Sequence, residues 1–256
     1  MVLEKLIMDI EEILKEEEKL IEIKNASVII IGDIHGDYLS LERILKDLKD
    51  EKIVFLGDYA DRGPSPIEVY EKIFELKVSR PKEVFLLRGN HEAPDLLPFH
   101  PHDFPWHLNL KYGDRWREIY KKFIGIYNKM PIALIIEKLA LLLHGGISPE
   151  IKIENLKNPD EKILEIILWS DPSDEIHGVL PSYRGAGIIF GPDVSFKVLS
   201  EINVRYLIRS HQPTIYGYKW NHNMKVLTIF SSKNVYNLIN GAYVKIVNGN
   251  LEIVKF

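Results

Sequence analysis

Asp33 and His35 in Gly32-Asp33-Ile34-His35-Gly36-Asp37, Asp58 in Gly57-Asp58-Tyr59-Ala60-Asp61-Arg62-Gly63, Asn90 in Arg88-Gly89-Asn90-His91-Glu92, His144 in His144-Gly145-Gly146 and His211 in Arg209-Ser210-His211-Gln212 are residues that could share metal ions. Together they offer two carboxylates, one amide oxygen and three imidazoles without sulfur. Such a mixed oxygen and nitrogen set suits Mn, Fe or Zn rather than an all-oxygen Ca site or a thiolate site. A single catalytic metal with open positions needs about three protein ligands. Six therefore imply two metals, and one carboxylate can bridge them. Taken singly, Gly-Asp and Asn-His are ordinary turns, and a lone histidine at a strand end is usually only hydrogen-bonded. The signal lies in the five motifs as a set.

Each motif closes a short apolar run: Val28 to Ile31, Ile53 to Leu56, Val84 to Leu87, Leu139 to Leu143 and Tyr206 to Ile208. Runs of this kind read as buried strands, and in α/β sheets ligands collect outside the carboxyl ends of strands, so five such ends can converge on one site. Between them, 39–48 and 67–76 carry helical periodicity, the second behind Pro64 and Pro66, which makes two consecutive βαβ units and a parallel sheet. An amphipathic helix is expected over 1–24, packed on the same domain, and further helices over 116–130 and 161–167. Residues 94–105 form a Pro/His-rich loop in which His100 and His102, with His107 beyond, could bind a metal. A substrate-side or structural loop is the better reading, because proline-rich segments break ligand geometry. A glycine-rich loop is expected over 178–191. Short runs at 224–230, 242–247 and 251–254, the last two joined by Asn248-Gly249-Asn250 as a hairpin, predict an antiparallel second sheet.

The chain has 256 residues, 46% of them hydrophobic, and no cysteine, which fits one domain spanning 1–256 and excludes disulfide and thiolate chemistry. Net charge is only −4, and no Lys/Arg block is interleaved with aromatics, so a nucleic-acid partner is not expected. With no signal-like start and no apolar run of membrane length, a soluble, cytoplasmic protein without membrane association is expected.

These motifs in this order, with Phe230-Ser231, resemble the PPP family of serine/threonine protein phosphatases, in particular its compact archaeal or bacterial members, from about Val28 to Val235. The resemblance implies an α/β fold of the calcineurin-like metallophosphoesterase type: two packed mixed β-sheets, a β-sandwich, flanked by helices. It implies that Asp33, His35 and Asp58 hold a first metal, and Asp58, Asn90, His144 and His211 a second, with Asp58 as the bridge. Two divalent transition-metal ions, Mn in vitro with Fe or Zn open as native metals, would sit about 3.5 to 4 Å apart and share a hydroxide for in-line attack without a phosphoenzyme. His91 would be the general acid, with Asp61 orienting its ring and favouring the imidazolium. Arg62, Arg184 of Tyr183-Arg184-Gly185 and Asn90 would grip the phosphoryl oxygens. Arg88 reads as a structural ion-pair arginine.

The family's Ser-Ala-Pro-Asn-Tyr is Ser231-Ser232-Lys233-Asn234-Val235 here. Val235 stands where a tyrosine overhangs the family's site. Tyr236, one residue on, is expected to face away, because adjacent side chains in an extended loop point to opposite sides. Resistance to cyclic peptide and polyether toxins would follow. The activity implied is hydrolysis of phosphoserine and phosphothreonine in proteins, with phosphotyrosine and small aryl phosphates tolerated. A diadenosine tetraphosphate hydrolase or broad-specificity phosphomonoesterase shares the metal motifs and is the alternative. A catalytically silent phosphoprotein-binding module should have lost ligands, and none is missing. Phosphoproteins are thus the expected partners, while regulatory subunits are not implied.

Overall fold

The computed structural model describes residues 2–24, 27–46, 48 and 50–256. The first half runs α1 (Val2–Lys15), β1 (Leu20–Ile23), β2 (Val28–Ile31), α2 (Tyr38–Lys46), β3 (Lys52–Phe55), α3 (Pro66–Ser79), β4 (Val84–Leu86), α4 (Phe104–Tyr112) and α5 (Trp116–Tyr127). There follow β5 (Ala133–Ile136), β6 (Ala140–Leu143), α6 (Ile153–Lys157), α7 (Glu161–Trp169), β7 (Asp171–Pro172), β8 (Val179–Pro181), β9 (Ile188–Phe190) and α8 (Pro192–Ile202). The chain ends with β10 (Tyr206–Arg209), β11 (Tyr218–Asn221), β12 (Val226–Ile229), β13 (Ala242–Val247) and β14 (Asn250–Lys255).

Two mixed sheets stack face to face. One has the order β14-β13-β2-β3-β4 and the other β1-β5-β6-β10-β12-β11. Strand β2 shows why they stack. Its four residues are fully buried, with Val28 and Ile30 in the core between the sheets, and Ile29 and Ile31 in the core under the helices. Period-two alternation with apolar residues on both faces demands cover on both sides, and each fully buried Val or Ile contributes roughly 1.5 to 3 kcal/mol. Helices α1 to α5 cover the outer face of the first sheet, and α6 to α8 that of the second. The parallel pairs β2–β3 and β3–β4 confirm the two βαβ units.

The structure corrects several expectations. Helix α1 stops at Lys15, and Leu20–Ile23 is an edge strand parallel to β5, because Leu20 is buried and Ile21 and Ile23 turn to the inter-sheet core; Met1 lies outside the described residues. Helix α2 stops at Lys46, with Leu48 beyond it and Asp47 outside the described residues. Helix α4 rises directly from the Pro/His-rich loop with Pro105 in its first turn, a position where the missing N–H costs nothing. It escapes periodicity analysis because Trp106 and Leu110 are exposed while only Phe104 and Leu108 are buried. The glycine-rich stretch contains β8 and β9, which join β7 in a small third sheet. The tail does not build a separate sheet: β12 pairs parallel to β10, whereas the β13–β14 hairpin joins β2 antiparallel. Its turn, Asn248 (φ 52°) and Gly249 (φ 76°), has both residues left-handed, as two-residue hairpins require. No helix among the described residues is long and apolar enough to cross a membrane.

Candidate active site

The carboxyl ends of β2, β3 and β4 in one sheet and of β6 and β10 in the other deliver Asp33, Asp58, Asn90, His144 and His211 to a common edge of the sandwich. The backbone there is strained. His35 (φ 46°), Asp58 (φ 56°), Asp61 (φ 64°), Arg62 (φ 71°) and His211 (φ 71°) are all left-handed without being glycine. Such residues cost roughly 1 to 3 kcal/mol each and persist only where their surroundings over-determine them. Here they do: Ile34 and His35 donate their N–H groups to Asp58 O (3.0 and 2.9 Å), and Asp33 N–H donates to Ser210 Oγ (2.8 Å). Fully buried Glu92 accepts from Asp58 N (2.7 Å), Tyr59 N (3.1 Å), Gly89 N (3.1 Å) and the Tyr70 hydroxyl (3.1 Å), fastening the β3 loop to the β4 loop. Gly89 admits the bridge, since a Cβ there would stand 2.3 Å from Asp58 Oδ1.

Backbone carbonyls fix the histidine tautomers. His35 Nδ1 lies 3.0 Å from Ala60 O and His144 Nδ1 3.0 Å from Leu56 O; a carbonyl can only accept, so each Nδ1 carries a proton and each Nε2 is the nitrogen turned into the site. His35 Nε2 then faces Asp33 Oδ2 (3.4 Å) and Asp58 Oδ2 (3.5 Å), while His144 Nε2 faces Asn90 Oδ1 (2.9 Å) and Asp58 Oδ1 (3.4 Å). His211 Nδ1 is 2.9 Å from the same Asn90 Oδ1. Asp33 Oδ2, His35 Nε2 and His211 Nε2 are buried without any hydrogen-bond partner. Buried lone pairs turned on one another repel, so this donor set fits cations between them. Asp58 presents one oxygen to each group, and ligand-range clusters form around it: His35, Asp58 and His91 in one, Asp58, His144 and His211 in the other. The first includes His91 rather than Asp33, although Asp33 Oδ2 lies beside His35.

Burial, then the Asp33 and Glu92 charges, push the Asp58 carboxyl well above its ordinary range. Burial likewise pulls His144 down to about 4 and His211 well below its usual value, so the imidazoles await a cation in neutral form.

His91 Nδ1 lies 2.7 Å from Asp61 Oδ2, while its Nε2 is buried, unpartnered and 3.9 Å from Asp58 Oδ2. Asp61 is held well below the usual carboxylate range because hydrogen bonds from His102 and His91 outweigh its burial. Burial dominates and pushes His91 down to about 3, although the Asp61 hydrogen bond and charge act in the expected direction and favour the imidazolium. The ring donates its Nδ1–H to the Asp61 carboxylate.

Arg62, Arg184 and Asn90 line one cleft of about 380 Å³ with Asp58, His211, Pro98, Phe99, His100, Trp169 and Pro213. Asp171 steers Arg184 by accepting from its Nε (2.7 Å). Arg88 turns away and is satisfied by Glu92 O (3.0 Å), Asp95 (3.2 Å) and Asn128 (2.8 Å), a structural arginine. The Tyr236 expectation is also corrected. Residues 233–237 are a succession of turns, drawn in as Asn234 N–H and Nδ2–H donate to the buried Asp37 carboxylate (2.8 and 2.9 Å), so neighbouring side chains do not alternate. Val235 packs at Gly63, and Tyr236 comes over the site: its ring centroid is 5.7 Å from that of His35, and its hydroxyl accepts from Arg62 Nη1. Tyr236 thus supplies an aromatic wall and a hydroxyl over the site, so resistance to cyclic peptide and polyether toxins is no longer expected from the loop.

A family model described as calcineurin-like phosphoesterase matches residues 26–214. The chain is 34% identical over 244 residues to the serine/threonine-protein phosphatase 6 catalytic subunit of Caenorhabditis elegans, covering 91% of this chain and 72% of that one. A second Caenorhabditis elegans chain, named as a serine/threonine-protein phosphatase, is 35% identical over 256 residues, 95% of this chain and 69% of its own. The solved structure of a protein serine/threonine phosphatase from Saccharomyces cerevisiae superposes with a TM-score of 0.88 at 25% identity, covering 99% of this chain and 88% of that chain. The chain belongs to the calcineurin-like phosphoesterases, within the PPP phosphatases.

Several residues of this phosphatase's site escaped sequence analysis. Glu92 stands in the Arg88-Gly89-Asn90-His91-Glu92 motif, but nothing local assigns it the task of tying the β3 loop to the β4 loop. Phe99 lies 4.0 Å, centroid to centroid, from His91, and His102 Nδ1 lies 3.2 Å from Asp61 Oδ1, which makes the Pro/His-rich loop a wall of the site. Trp169, at the end of α7, sits 5.8 Å from His211 between their ring centroids, a contact between segments distant in sequence that no local pattern announces.

Proposed function

We propose that this phosphatase hydrolyses phosphoserine and phosphothreonine in proteins, with residues 1–256 acting as one cytoplasmic metallophosphatase unit. The observation that carries the reading is the convergence of buried imidazole nitrogens on both oxygens of Asp58, His35 Nε2 on one side and His144 Nε2 on the other. Asp33, His35 and Asp58 would hold one divalent transition-metal ion, with Mn the first to try, and Asp58, Asn90, His144 and His211 the other. When bound, the ions supply Lewis-acid charge at the phosphoryl oxygens and an acidified water nucleophile.

The chain's own residues do the rest. Arg62 and Arg184 flank the cleft as planar, bidentate donors and draw the phosphoryl group in, with Asn90 beside them. The incoming dianion favours a proton on His91 Nε2, the atom that burial otherwise keeps bare, while Asp61 holds the Nδ1–H. His91 then gives the Nε2 proton to the departing seryl or threonyl oxygen, and Asp61 keeps the ring aimed. The protein substrate is supported by the names of the relatives, both of the serine/threonine phosphatase class. A panel of phosphoserine, phosphothreonine and phosphotyrosine peptides, an aryl phosphate and diadenosine tetraphosphate tests it. Higher kcat/KM for phosphoserine or phosphothreonine peptides than for the dinucleotide is expected; the reverse order would replace this substrate with the dinucleotide.

A further inference from the structure

Asp61 is not the end of the dyad. His102 Nδ1 lies 3.2 and 3.3 Å from the two Asp61 oxygens, and His102 Nε2 lies 2.7 Å from the Tyr120 hydroxyl. If Tyr120 donates to Nε2, the ring proton must sit on Nδ1, so His102 donates to the carboxylate just as His91 does from the other side. Phe99 is wedged between the two imidazoles, with centroids 4.0 Å from His91 and 4.8 Å from His102. The remaining donors to Asp61 Oδ1 are the backbone N–H groups of Asp103 and Phe104, both at 2.8 Å, which tie it to the start of α4. A line of contacts therefore runs from Tyr120 on α5 through His102 and Asp61 to His91.

We propose that His102 is a positioning residue for the phosphatase reaction: its Nδ1–H sets the plane of the Asp61 carboxylate, which aims the His91 Nε2 proton at the leaving oxygen. The bland account makes His102 mere packing, since the two backbone donors already satisfy Oδ1. They do not bond Oδ2, however, which is the oxygen His91 uses, and His102 alone among these donors lies within reach of both oxygens. Its side chain is 26% exposed, so truncation removes little buried surface. The inference rests on His91 as the general acid.

The test compares kcat and KM of wild type, His102→Ala, His102→Asn, Tyr120→Phe, His91→Asn and the His91→Asn/His102→Ala double variant, on a phosphoserine peptide and on p-nitrophenyl phosphate, with saturating Mn²⁺. Losing one hydrogen bond to a charged group should lower kcat of His102→Ala on the peptide about 10-fold. Its KM should stay within about twofold, and the aryl phosphate, whose leaving group needs little protonation, should lose about twofold or less. His102→Asn, whose amide N–H replaces the Nδ1 donor, should recover most of the loss; Tyr120→Phe should show the same pattern more weakly; and the double variant should be no slower than His91→Asn. Equal losses on both substrates, or Asn no better than Ala, would make His102 structural only. If His91→Asn spares the aryl phosphate and His102→Ala does not, His102 alone is misassigned. Should His91→Asn itself cost both substrates equally, the general acid and this inference fall together.

Discussion

Gly89→Ala should empty the metal centre although glycine's freedom of rotation is not needed there. Gly89 has an ordinary φ, so the effect is one of space alone. An added Cβ would stand 2.3 Å from Asp58 Oδ1, 2.5 Å from Asp58 N and 2.8 Å from Glu92 Oε2. Contacts of this kind normally stay beyond about 3.4 Å, so the Asp58 carboxylate must retreat by about 1 Å, against the tolerance of about 0.2 Å that the proposed metal-ligand role would allow. Retreat is blocked because Asp58 N–H is held by Glu92 (2.7 Å) and Asp58 Oδ1 by His91 N–H (2.9 Å). Overpacking of this order costs about 1 to 3 kcal/mol of stability, roughly 2 to 10 °C in melting temperature for a chain of this size. Metal content after dialysis, turnover and the melting curve in chelator read the three effects separately. A Gly89→Ala protein that folds, keeps both ions and turns over at the wild-type rate would show that Asp58 is not held where the contacts place it.

Two further outcomes follow. Tyr236→Phe removes the acceptor on Arg62 but leaves the ring over it, so the inhibition constant of inorganic phosphate should rise about 3- to 10-fold with little change in stability, measured by competitive inhibition; an unchanged constant would return Tyr236 to a bystander. Burial, then the Asp33 and Glu92 charges, push the Asp58 carboxyl up and favour its protonated form in the metal-free protein, while burial pulls His144 and His211 down toward the neutral form. Metal binding needs the ionised carboxylate, so affinity should rise with pH through the range in which Asp58 gives up its proton. Calorimetry in two buffers of different ionisation heat should show net proton release on metal binding, and buffer-independent heats would contradict it.

The strand ends were legible because a β-branched run closed by Gly-Asp or Gly-Asn carries both its secondary structure and its chemistry in consecutive residues. Asp33, His35, Asp58, Asn90, His144 and His211 could therefore be named together, and the structure brings them together. What stayed hidden depends on partners distant in sequence. Leu20–Ile23 takes strand form because β5, more than 100 residues on, offers an edge, and the tail divides between two sheets because alternation specifies a face and not a neighbour. Tyr236 and Val235 exchange the sides expected of them because Asp37 reels in Asn234 and curls the loop. From the sequence His102 is one of three histidines of a Pro/His-rich substrate-side or structural loop; only folding sets it against Asp61.

Metal stoichiometry in the wild type and in Asp58→Asn tests the account most directly. Both oxygens of Asp58 face histidine lone pairs, one group on each side, so elemental analysis should find two transition-metal ions per active chain, with activity lost in excess chelator and restored by Mn²⁺. Asp58→Asn should lose both ions and turnover. One ion per fully active chain, full activity in chelator, or an Asp58→Asn protein that keeps both ions would contradict a centre bridged by Asp58.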